Sequence, residues 1–186
     1  MDIFLQTWGG LSYLFAKIFL AKAEGDNSNL KLRIFGWFIY LLGIPAWVIV
    51  LALNHNWIAA MLEAGGAPTM IVAIMSNLKK GMEIPKKLDR AIKVLVFILI
   101  LTGITYSVYD FGGITSLSQV LEFGVTVGYL IGTYLLTKKD RRGWLWFILM
   151  NTSMATLTAI QGKWIFTILQ IVSLYFVSLG FKRSRI

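Results

Sequence analysis

A chain of 186 residues that is 57% hydrophobic, with mean hydropathy +0.71 and only 15% charged residues, is too apolar for a soluble domain without large greasy patches. It has no cysteine, which excludes a disulfide framework and a thiolate metal site, and its single histidine gives no zinc spacing. A net charge of +9 would point to nucleic acid in a soluble protein; here it reads as loop charge that orients a membrane protein, with no nucleic-acid partner.

The first apolar segment runs over Asp2–Lys22 and is long enough to span a bilayer at about 1.5 Å per residue. Asp2 and the lack of an early Lys or Arg argue against a signal peptide. A polar loop, Ala23–Lys31, follows. Segment two, Ile34–Leu53, is interrupted by Gly43 and Pro45, and a bend is expected at the proline. Segment three, Trp57–Asn77, contains Glu63 and then Gly65-Gly66-Ala67-Pro68, which predicts a kinked or broken helix. A long basic loop over Leu78–Lys93 leads to segment four, Ala91–Tyr109, and a polar turn at Asp110–Gly113. Segments five to seven are Ile114–Thr137, Arg142–Ile160 and Lys163–Phe181.

Two stretches repeat without a gap. Gly36–Glu63 aligns on Gly143–Gln170 at an offset of 107, with seven identities in 28 positions, among them Gly36/Gly143, Trp37/Trp144 and Trp57/Trp164. Each copy is two apolar helices around a three-residue polar turn, Asn54-His55-Asn56 or Gln161-Gly162-Lys163. Segment one matches segment five at an offset of 116, through Leu5/Leu121, Tyr13/Tyr129 and Leu14/Leu130. Segment four has no mate. The expected fold is therefore all-α and integral to the membrane. Seven transmembrane helices form two parallel three-helix bundles, residues 1–78 and 114–186, joined by a basic loop and linker helix over 79–113.

The charges agree with that count. With seven spans, 16 of the 18 Lys and Arg residues fall on one face, Lys17 snorkels to the same face, and only Lys163 lies opposite. The positive-inside rule then puts the N-terminus outside and the C-terminus in the cytoplasm.

Two acidic residues lie well inside the predicted spans, Glu63 and Glu122. A carboxylate in hydrocarbon costs about 2.5–3.5 kcal/mol on the insertion scale, so such residues face a bundle interior or a watery path. The repeat pairs Glu63 with Gln170 and Glu122 with Gln6, one Glu and one Gln from each half. The competing reading is that both Glu residues lie near helix ends and reach the interface. Asn151 shares a helical face with Trp144 seven residues earlier, and is read as a substrate contact or an interhelical hydrogen bond. Trp57 and Trp164 start helices and read as belt anchors, whereas Trp144 and Trp146 could stack on a flat ring or hold a cation. His55 reads as a solvated turn residue. No phosphate loop or nucleophile–base pair is present, so the chain does not read as an enzyme and implies no cofactor.

These residues carry a resemblance. Leu136-Thr137-Lys138-Lys139, Gly143-Trp144 with Asn151 seven residues on, Gln161-Gly162-Lys163-Trp164 and Gln170 resemble the PnuC-type nicotinamide riboside transporters. Glu122-Phe123-Gly124 is similar to the start of that family's preceding helix, and the first half is similar through Gln6, Lys22, Trp57–Leu62 and Glu63. Phe147 stands where the family has a second Trp, with Trp146 beside it, and Lys182-Arg183 replaces a terminal Trp. The resemblance implies a seven-helix fold related to the SWEET sugar transporters, in a bacterial inner membrane. It implies a vitamin precursor, nicotinamide riboside first, bound midway across the bilayer by alternating access. Gln6, Glu63, Glu122, Trp144, Trp146, Asn151 and Gln170 would be the substrate-binding residues. Related transporters carry thiamine or riboflavin. A homo-oligomer stays open, as does a non-transporting scaffold or accessory subunit.

Overall fold

The computed structural model describes residues 2–23, 29–78, 85–137 and 140–184. Among these residues the protein is all-helical, with seven helices: α1 Asp2–Ala23, α2 Leu30–Leu53, α3 Trp57–Leu78, α4 Lys86–Phe111, α5 Leu117–Thr137, α6 Arg142–Ile160 and α7 Trp164–Arg183. Five of them, α1, α2, α4, α6 and α7, are long and apolar enough to cross a membrane; in α3 the corresponding apolar stretch is the shorter Trp57–Val72. Parts of the loops that carry Lys79, Lys80, Lys138 and Lys139 lie outside the described residues.

Local chemistry sets the helix ends. The Asn29 side chain accepts from the Lys31 and Leu32 amides at 3.1 and 3.3 Å, so α2 starts four residues before the apolar run does. Ser116 and Gln119 form a capping box at the start of α5. The Ser118 amide donates to Ser116 Oγ, and the Ser116 amide donates to Gln119 Oε1 at 3.0 Å. This places the start of α5 at Leu117 instead of Ile114. Gly112, with φ of 65°, ends α4 in the left-handed conformation that glycine accepts freely, so Asp110 and Phe111 belong to the helix and not to the turn.

The two short turns are built alike. His55 and Gly162, 107 residues apart, are both left-handed, with φ of 58° and 69°. In each turn this residue's amide donates to the carbonyl of Ala52 or Ala159. The next amide, of Asn56 or Lys163, donates to Leu51 or Thr158. That is the Schellman pattern of a helix C-terminus, repeated bond for bond. The turns also meet: Asn56 and Gln161 exchange two side-chain hydrogen bonds, at 2.8 and 2.9 Å. Both turns therefore lie at the same end of the molecule.

Extensive helix contacts run α1–α2–α3 and α5–α6–α7, and two more, α1–α7 and α3–α5, close these six helices into a ring. Exchanging α1 with α5, α2 with α6 and α3 with α7 maps this set of contacts onto itself. α4 packs on α3 and is the least buried of the long apolar helices.

Of the kinked or broken helix expected over α3, the break is absent: α3 continues through Gly65-Gly66-Ala67-Pro68, and α2 continues through Pro45. Neighbouring helices stand at ordinary van der Waals distance from the glycine pair. A Cβ on Gly65 would face Val96 and Leu99 of α4, and one on Gly66 would stand 3.4 Å from the Tyr129 hydroxyl of α5. Lys17 does not snorkel to the basic face. Its ammonium hydrogen-bonds to Asn151 Oδ1 of α6 and lies 3.9 Å from the centre of the Tyr13 ring. Cα–Cβ bonds tilt toward a helix N-terminus, so the side chain heads back into the bundle, where it finds an acceptor that hydrocarbon lacks.

Candidate functional site

The five polar residues singled out in the sequence are all buried: Gln6, Glu63, Glu122, Asn151 and Gln170. They do not share one environment. Glu122 reaches from α5 to the start of α3, where its Oε2 accepts from the Ala59 amide at 3.0 Å. The first amides of a helix have no partner within it and carry the positive end of its dipole, so a carboxylate is well placed there. Glu122 thus acts as a cap borrowed from another helix. Its Oε1 is buried with no partner among the described residues, as are Gln170 Oε1 and Ser173 Oγ on α7.

Glu63 lies one helical turn further along α3 and belongs to a different group. The Tyr40 hydroxyl stands beside its carboxyl, and Lys17, Tyr13 and Tyr129 are within electrostatic reach. Asn151 joins this group through Lys17 and ties itself to its own helix by donating to the Phe147 carbonyl. The cluster draws on five helices: Tyr13 and Lys17 from α1, Tyr40 from α2, Glu63 from α3, Tyr129 from α5 and Asn151 from α6. Tyr13 and Tyr40 pack edge to face at 4.8 Å.

Toward the turn end the interior is closed by aromatic packing. Trp47 of α2 stacks on Phe166 of α7 at 3.8 Å between ring centres and 8° between planes, and its Nε1 donates to the Gly9 carbonyl at 3.0 Å. Both side chains are almost fully buried. At the repeat offset their mates are Met154 and Ala59, so this plug belongs to one side of the ring only.

Among the described residues, neither Trp144 nor Trp146 makes a hydrogen bond or ring contact with the Lys17–Glu63 group. Trp144 is buried against Gly180 of α7, whose added Cβ would stand 2.7 Å from the indole, and meets Phe147 edge-on at 6.0 Å. Trp146 is half-buried on α6. His55 is largely exposed, as expected of a turn residue, but its Nδ1 meets Asp110 Oδ2 at 2.6 Å. The same oxygen accepts from Trp57 Nε1 at 2.7 Å, tying the end of α4 to the start of α3.

The sequence reading missed Lys17, Tyr13, Tyr40 and Tyr129. A signal was present in α1. Gly9, Tyr13, Ala16 and Lys17 fall at helical spacing on one face, and the small and aromatic members of that face pack inward. A lysine on a buried face points in with its neighbours. Among the described residues there is no cluster of His, Cys, Asp and Glu that could hold a metal ion. What the group offers is one ammonium, one carboxyl, three phenols and an amide, enclosed between helices of both halves. Comparison with protein families, with characterised proteins and with solved structures finds no match to this chain.

Proposed function

We propose that this protein is a membrane transporter that lets a small, ring-containing vitamin precursor equilibrate across a bacterial inner membrane. The observation that carries the reading is the polar group Tyr13, Lys17, Tyr40, Glu63, Tyr129 and Asn151, buried between two helix triplets whose contacts repeat. Ionisable residues in apolar helices are costly to bury and mark solute paths. The repeated turns and their Asn56–Gln161 contact support two parallel three-helix units related by an axis along the membrane normal, with α4 as the linker in a seven-span chain. Alternating access would be a rocking of one unit against the other, in which the Trp47–Phe166 stack separates to open the turn end. Nicotinamide riboside is the first candidate from the sequence resemblance; thiamine and riboflavin follow.

The test is uptake of these three compounds into lipid vesicles holding the purified protein. Asn151→Leu removes the acceptor that holds Lys17 with little change of volume. Uptake by this variant is expected to fall about tenfold or more, equivalent to at least about 1.4 kcal/mol of lost interaction. Wild-type vesicles that take up none of the three would leave the scaffold reading in front.

A further inference from the structure

The charge at the buried group has a consequence for the substrate. Among the described residues Lys17 is the only cation in this group, and it occupies the positions that a cationic ring would need. Its ammonium lies over the face of Tyr13, the usual seat of a cation–π contact, and takes the Oδ1 acceptor of Asn151. Among the described residues Glu63 is the one carboxyl in the group, and it is within electrostatic reach of that ammonium. Glu122, the other interior carboxylate, is committed to the Ala59 amide at the start of α3. A permanently charged pyridinium or thiazolium would add an uncompensated positive charge beside Lys17, because Glu122, although its Oε1 has no partner among the described residues, lies outside this group. A neutral ring adds none, and its hydroxyls and carbonyls suit Tyr40, Tyr129 and the Asn151 amide. The repeat shows that Lys17 is an addition to one half: its mate at the offset of 116 is Thr133, a neutral hydroxyl.

We propose that Lys17 is the specificity-determining residue of the site, and that it makes the transporter select neutral, hydroxyl-bearing ring compounds over permanently cationic ones. The proposal rests on the transporter reading above and changes its order of substrates: the neutral riboflavin and dihydro form come ahead of nicotinamide riboside and thiamine, the cations that the resemblance puts first. Nicotinamide riboside and its dihydro form are nearly the same size and differ by one hydride on the ring, so by one positive charge. Their binding to the purified protein is measured by calorimetry, with thiamine as a second cation and riboflavin as a second neutral ring.

The wild-type protein should bind the dihydro form at least tenfold more tightly than the cation. Lys17→Met leaves the Glu63 carboxyl without its counter-charge and should reverse the preference. The double variant Lys17→Met with Glu63→Gln carries neither charge; a cation there is still unpaired but meets no ammonium, so the preference for the dihydro form should shrink several-fold. It also keeps the test decisive if the single variant unfolds, because no unpaired charge remains inside it. A wild-type preference for the cation, or the same preference in wild type and double variant, overturns the proposal. Absence of binding for all four compounds overturns the transporter reading as well, and is distinguishable because no affinity remains to compare.

Discussion

A carboxylate that ends on another helix's first amides does a job no apolar side chain can do. Glu122 supplies this to α3 through the Ala59 amide, and it is fully buried while doing so. Replacing it with leucine leaves that amide without a partner, and a buried hydrogen bond to a charged group is worth about 1.5–3 kcal/mol. Glu122→Leu is therefore expected to lower the unfolding midpoint clearly. Glu122→Gln keeps an oxygen acceptor at the same place and should lose less. Thermal unfolding of the two variants in detergent checks the order, and a leucine variant as stable as wild type would show that the bond does not support α3. The residue was visible in the sequence as a costly charge in an apolar helix, but its partner was not. A main-chain amide leaves no mark in the pattern of side chains, and the first turn of α3 reads as plain apolar Trp57-Ile58-Ala59-Ala60. Lys17 was obscured for a different reason. Near the end of a span a lysine's stem can run to either side, and only the partners Tyr13 and Asn151, from the same helix and from one 134 positions away, decide the direction.

Helices in an apolar medium approach each other where a small residue lets the backbones meet, and the two halves place that residue on opposite helices. In the first half Gly43 of α2 receives Ser12 of α1, and a Cβ on Gly43 would stand 2.8 Å from the Ser12 Cβ. At the repeat offsets the same point is Gly128 of α5 against Met150 of α6, where an added Cβ would stand 2.8 Å from the Met150 amide nitrogen. The glycine has changed sides and the contact has stayed. This predicts a swap. Gly43→Ala alone overpacks the α1–α2 contact, at a cost of about 1–3 kcal/mol. Adding Ser12→Gly moves the missing side chain to α1, as the second half does with Gly128, and should restore most of the lost stability. Unfolding midpoints for the two single variants and the double variant measure the coupling; simple additivity would show that the two positions do not form one contact. The repeat offsets were legible before any coordinates because turn chemistry and tryptophans mark them. The continuity of α3 was not, because Gly-Gly-Ala-Pro reads as a break or kink from local propensity alone.

At the scale of the molecule, the proposed orientation can be tested from charge and contact together. Lys87 and Arg90 stand on the outer face of α4 beside Val94, Leu95 and Ile98, which are exposed, so this helix presents an apolar side with basic residues at its foot. Such a foot suits anionic headgroups and a cytoplasmic location. The opposite end carries the two linked turns, where Asn56 meets Gln161 and His55 meets Asp110. In the proposed seven-span arrangement four crossings, α4 to α7, separate Lys87 from the C-terminal end, so both lie on the same side, and His55 lies on the other. The chain has no cysteine, which allows a direct check. His55→Cys is expected to react with a membrane-impermeant thiol reagent in intact cells, since that side chain is 61% exposed. Lys87→Cys and Arg183→Cys should react only after the membrane is opened. Labelling of Lys87→Cys and Arg183→Cys from opposite sides would mean an odd number of crossings between them. The two triplets would then run in opposite directions through the membrane, and two turns that hydrogen-bond to each other could not both stay at one surface.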